Sequence, residues 1–113
     1  MNFKEETIEK IKESGYKLED VMFVGSNDGK LRINIEKFLE ISDFEYDSGY
    51  GSAEISGCLI VYFNDKSYLA RDEYDGSEWW EYVPASNFSK DDNSDEFIFE
   101  KDETWYCYLL KKV

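Results

Sequence analysis

The sequence predicts a single α+β domain over residues 1–113, with one or two short N-terminal helices packed on an antiparallel sheet of four to six strands. Three observations carry this expectation. Helix-period apolar patterns with cap residues fall in the first third of the chain. Three β-favouring runs separated by short polar turns occupy the middle. A chain of 113 residues that is 42% hydrophobic and 18% aromatic has material for one core and little room for a second.

Residues 3–14 read as an amphipathic helix with Phe3, Thr7, Ile8 and Ile11 on one face. Glu5 and Glu6 suit its positive end, and Lys10 and Lys12 its negative end. Gly15 is a left-handed C-cap candidate, after which Tyr16 can fold back onto the apolar face. Residues 21–24 read as a strand, followed by an Asp28-Gly29 turn. Asn34 is placed to cap a second helix over 35–41, with Ile35, Phe38 and Leu39 on its apolar side. Residues 42–53, rich in Gly, Ser, Asp and Tyr, read as a loop. Strands are then expected over 55–63, 68–74 and 78–83, joined by turns at 64–67 and 75–77 and ended by Pro84. A polar connector over 85–95 leads to a final hairpin, 96–99 and 104–110.

The charge constrains partners. With 26 acidic and 13 basic residues, the net charge is −13. Such a chain repels nucleic acid and anionic membranes, since neutralising phosphates takes Lys and Arg. It attracts a basic protein, with fast and salt-sensitive encounter. The aromatic content, three Trp, nine Tyr and eight Phe, sets it apart from disordered acidic tails. Met1 to Glu6 lacks the apolar run of a leader peptide, so cytoplasmic residence in a host cell is the expectation. Cys58 and Cys107 lie in apolar runs and read as reduced thiols buried on strands.

Histidine is absent, which removes the commonest general base and most zinc sites. No phosphate-cradling glycine loop is present. No catalytic residue and no cofactor is assigned, and a non-enzymatic protein is expected. Asp43, Glu45, Asp47 and Glu54 fit positions one, three, five and twelve of a calcium loop, but Ser48 stands where the sharp turn needs glycine. A solvated acidic loop is the simpler expectation. Arg71, one of two arginines, lies among carboxylates and is expected to fork to one on a neighbouring strand.

Two features point to partner binding. Trp79 and Trp80 are consecutive on a strand and must face opposite ways, so one of them, flanked by Glu78 and Glu81, is an interface anchor candidate. Over residues 91–103, seven of thirteen are acidic, including Asp91, Asp92, Asp95 and Glu96. Carboxylates held at phosphate-like spacing can occupy a nucleic-acid channel on another protein.

The run Arg71-x-Glu73-Tyr74-Asp75-Gly76-Ser77-Glu78-Trp79-Trp80-Glu81-Tyr82, with Tyr46-Asp47-Ser48-Gly49-Tyr50-Gly51 before it, resembles small uncharacterised proteins of phages and prophages of Gram-positive bacteria. The resemblance spans roughly residues 18–84 and does not reach the acidic connector. It implies a mobile-element origin, where small acidic proteins include anti-CRISPR and anti-restriction inhibitors. The resulting expectation is an inhibitor of a basic, nucleic-acid-handling host protein, acting by charge mimicry through Glu78, Trp79, Trp80, Glu81 and the acids of 91–103. An immunity protein that neutralises a toxin nuclease uses the same electrostatics. A phage structural component is the other alternative.

Overall fold

The computed structural model describes residues 2–46, 54–74, 77–84, 95–102 and 107–113. Helix α1 runs over Phe3–Glu13, and the Asn2 side chain accepts the Glu5 N–H at its start. Phe3, Thr7 and Ile11 are its buried residues. Its end is a Schellman turn: the Gly15 N–H donates to Lys12 C=O and the Tyr16 N–H to Ile11 C=O. Gly15 takes φ +90°, which glycine adopts without steric cost. The turn lays the Tyr16 ring flat on Phe63, with centroids 3.9 Å apart.

The main sheet has the strand order β2-β1-β3-β4-β5, all neighbours antiparallel. Its strands are β1 (Val21–Ser26), β2 (Arg32–Ile33), β3 (Leu59–Phe63), β4 (Tyr68–Tyr74) and β5 (Ser77–Val83). Helix α2 (Ile35–Ile41) follows β2, and the Asn34 side chain caps it by accepting the Lys37 N–H. Strands β6 (Phe97–Asp102) and β7 (Cys107–Lys112) form a separate antiparallel hairpin. Gly25 in β1 is required by close approach: a Cβ there would sit 1.9 Å from the Leu31 carbonyl oxygen. Among the described residues, no helix is long and apolar enough to cross a membrane.

Strand β3 is buried along its whole length. Leu59, Val61 and Phe63 join Phe3, Ile11, Phe38, Leu69, Trp80 and Phe97 in the principal core. Ile60 and Tyr62 point the other way, into a smaller cluster with Phe23, Met22, Tyr68 and Ala70.

The α+β expectation therefore holds, with three local corrections. The strand expected from residue 55 starts only at Leu59, after a turn at Gly57 and Cys58. Ile55 instead pairs with Tyr108 of β7 as an isolated parallel bridge, and the Ser56 N–H donates to the Tyr108 carbonyl. Cys58 is consequently a half-buried free thiol in a turn, with Sγ 3.0 Å from Ser56 Oγ, and not a strand residue. The two-residue strand β2 is too short to leave a periodic signal. Residues 47–53, 75–76, 85–94 and 103–106, which carry parts of the expected loops and turns, lie outside the described residues.

Candidate functional site

Strand β5 divides the expected site residues between two environments. Alternation along the strand sends Glu78 and Trp80 inward and Trp79 and Glu81 outward. Glu78 and Trp80 are 5% and 2% exposed, so neither presents the surface that an anchoring residue needs. Their assignment as binding residues is corrected on that ground. Trp79 is 36% exposed, and its indole N–H donates to Glu81 Oε2 at 3.0 Å.

The inward residues build a buried ionic centre around Arg71 of β4. One guanidinium nitrogen donates to Glu78 Oε1 at 2.9 Å, and the other to Glu6 Oε1 at 3.2 Å. The Tyr46 hydroxyl accepts from the same nitrogen as Glu78, at 3.2 Å, and donates in turn to the Glu6 carboxylate. Rings of Trp80, Phe3 and Tyr46 surround the cation at 4.9, 5.2 and 5.7 Å. Arg71 therefore forks not only to a neighbouring strand but also to α1. Burial, with the hydrogen bond to Glu6, holds the Tyr46 phenol well above the usual tyrosine range. Glu78 also accepts the N–H groups of Glu54 and Ile55, tying the segment before β3 to β5. The carboxylates at this centre are committed to the fold. Among the described residues, Arg71 Nε is the guanidinium donor without a partner.

A second cluster lies at the other end of β5. The Tyr16 hydroxyl meets Asp65, Ser67 and Tyr82, with Asp65 Oδ2 at 2.5 Å. The Ser67 and Tyr16 hydroxyls beside Asp65 hold its carboxyl below the usual range. Trp80 is fixed between these clusters by its indole N–H, which donates to Thr7 Oγ1 at 3.0 Å.

The outward surface differs in kind. The register sets Asp72 opposite Trp79, Ala70 opposite Glu81 and Glu73 opposite Glu78. Tyr74 is 77% exposed, so the outer side of the β4–β5 hairpin carries two large rings, Trp79 and Tyr74, with the exposed carboxylates of Asp72 and Glu81, while Tyr82 and Glu73 lie on the face of Trp80. Beside it, Glu6, Glu9, Lys10 and Glu13 of α1 face Glu78, Trp79 and Trp80 across a cleft of about 370 Å³. Of these α1 positions the sequence marked only Glu6 and Lys10, for the helix dipole, although the spacing of all four puts them on one stripe bordering the apolar face.

Of the acids expected beside this surface, Asp95 and Glu96 do not join it. Asp95 pairs through its backbone with Lys30 and Arg32, next to β2, at the opposite margin of the sheet from β5. Four strand spacings, roughly 19 Å, separate the two margins. Asp95 and Glu96 are exposed but ion-paired, to Lys112 at 3.3 Å and Lys37 at 2.5 Å. Asp91 and Asp92 lie outside the described residues. So does Asp47 of the calcium pattern, while Asp43 accepts a hydrogen bond from Asn2 at 2.9 Å. Among the described residues, no three Cys, Asp or Glu side chains gather as a metal-ligating group.

Compared with protein-family models, curated proteins and solved structures, the chain matches none. What the site can do is thus read from its own geometry: a rigid ionic core inside, and an acidic, aromatic surface outside.

Proposed function

We propose that this protein is a non-enzymatic binding protein that docks a basic, nucleic-acid-handling protein and blocks it by charge mimicry. The observation that carries the reading is the outer side of the β4–β5 hairpin, where Trp79 and Tyr74 stand with Asp72 and Glu81. An aromatic ring supplies apolar contact at low entropic cost, and the surrounding carboxylates select a cationic surface. The −13 charge steers such a partner in, and opposes direct contact with nucleic acid. A role against a host defence nuclease fits these properties, as the phage-type resemblance implies. The inhibitor leaves the partner's DNA-binding surface covered and releases it as salt rises.

The test uses a panel of purified basic nucleases and DNA-binding proteins, each loaded with fluorescent DNA. The wild-type protein should displace DNA from at least one of them at low salt. The double variant Trp79→Ala/Glu81→Lys should keep its fold and displace at least tenfold less well. Equal displacement by the variant, or none by the wild type across the panel, overturns the reading.

A further inference from the structure

The open edge of β5 and helix α1 together form a trough. Among the described residues, β5 is hydrogen-bonded on its β4 side alone, so every second residue turns its backbone N–H and C=O away from the sheet. α1 runs alongside β5 in the same direction. Glu6 meets Glu78 through Arg71, Thr7 meets Trp80, and Tyr16, just past the helix, meets Tyr82. The cleft between the two elements is walled by Trp79 and Trp80 on one side and by Glu6, Glu9, Lys10 and Glu13 on the other.

We infer that this trough receives an extended, basic segment of the partner, which adds to β5 as a further antiparallel or parallel strand. Backbone bonding to the β5 edge supplies the register-independent part of the affinity. Side chains alternate along the added strand, and those on the α1 side recur about every 6.7 Å. Glu9 and Glu13, one helical turn apart, are about 6 Å apart along the helix axis. Arg or Lys at alternate positions of the segment therefore meets these two carboxylates in turn. Both are exposed, and neither has an ion-pair partner among the described residues. Like charges at this spacing repel within the helix, and a cationic strand relieves that repulsion. Against these carboxylates the cleft sets one lysine, Lys10, so its charge complements a basic occupant.

This placement rests on the basic-protein reading above and specifies how the partner is held. The probe is a capped six-residue peptide, Thr-Arg-Val-Arg-Val-Thr, titrated against the full chain with tryptophan fluorescence as the readout. Three comparisons are made: an isomer with its arginines adjacent, a backbone N-methylated version, and the chain variant Glu9→Lys/Glu13→Lys. Lysines in the last turns of α1 suit the helix dipole, so this variant keeps its fold. The alternating peptide should bind at least tenfold tighter than either altered peptide, and at least tenfold tighter to the wild type than to the variant. Amides of residues 77–83 should gain hydrogen-exchange protection. Equal binding of the isomer and the N-methylated peptide, or no binding of any peptide, overturns strand addition. If the DNA-displacement assay still succeeds in that case, and is insensitive to Glu9→Lys/Glu13→Lys, the basic-protein reading survives and the trough is excluded.

Discussion

On strand β5, neighbours of the same kind meet opposite fates. Trp80 is sealed beneath α1, stacked on Phe3 and bonded to Thr7, while Trp79 stands at the surface. Glu78 is locked to Arg71 and to two backbone N–H groups, while Glu81 is exposed and accepts the Trp79 indole N–H. The inward pair stabilises the fold through groups that cannot be replaced singly. The outward pair contributes little to stability and is available for recognition. Removing one member of a buried ionic centre leaves its partners charged and dry, a penalty that surface residues never incur.

Substitutions along this strand and its partners test the contrast. The largest loss should follow Arg71→Met, which strands Glu6 and Glu78 beneath the aromatic rings. A destabilisation of about 3–5 kcal/mol is expected, measured by denaturant unfolding. If it unfolds less than about 1 kcal/mol more easily, Arg71 is not the keystone of the inner face. Trp80→Ala should cost about 3–5 kcal/mol through the cavity it leaves. Trp79→Ala, one residue away, should cost about 1 kcal/mol. Similar losses at the two positions would erase the distinction between the faces.

A subtler probe is Glu78→Gln. The amide keeps the shape, but its NH₂ group would oppose either the Glu54 N–H or the guanidinium. A loss of about 1–3 kcal/mol is expected, and the segment at residues 54–56 should exchange its amide hydrogens faster. A wild-type exchange pattern in that segment would mean that Glu78 does not anchor it.

The smallest effect concerns acidity at the far end of β5. The Asp65 carboxyl is held below its usual range by the Ser67 and Tyr16 hydroxyls. A carboxyl whose folded pKa is depressed stabilises above its unfolded value, about 3.9, and loses that contribution as pH falls through the folded value. Asp65→Asn should therefore lower Tm at pH 6, with the gap to wild type closing as pH falls below about 4. A gap that stays constant down to pH 2.5 would assign the effect to packing rather than ionisation.

Much of this was legible along the chain. Asn34 as an N-cap, Gly15 as the C-cap and the hairpin of β4 with β5 follow from local chemistry, and each appears in the structure. The outward-inward split of Trp79 and Trp80 was equally readable, since strand alternation forces it. Which of the two is buried was not, because that depends on where α1 lies. Nothing marked Glu6 and Tyr46 as partners of Arg71: that role arises only when residues 65 and 25 positions from Arg71 converge on it. The position of Asp95 was hidden for a related reason. The acidic run around it suggested one surface with Glu81, yet its backbone pairs beside β2, across the whole sheet.

The sequence by itself determined the fold class, the caps at the start of α2 and the end of α1, the period of the longer strands and the −13 charge, because these depend on near neighbours or on composition alone. The tertiary structure alone decided which face of β5 α1 covers, which carboxylates are buried, and that the β6–β7 hairpin leaves the main sheet. Those outcomes rest on contacts between residues distant in the chain, where burial of an aromatic face and neutralisation of a buried charge outweigh any local preference.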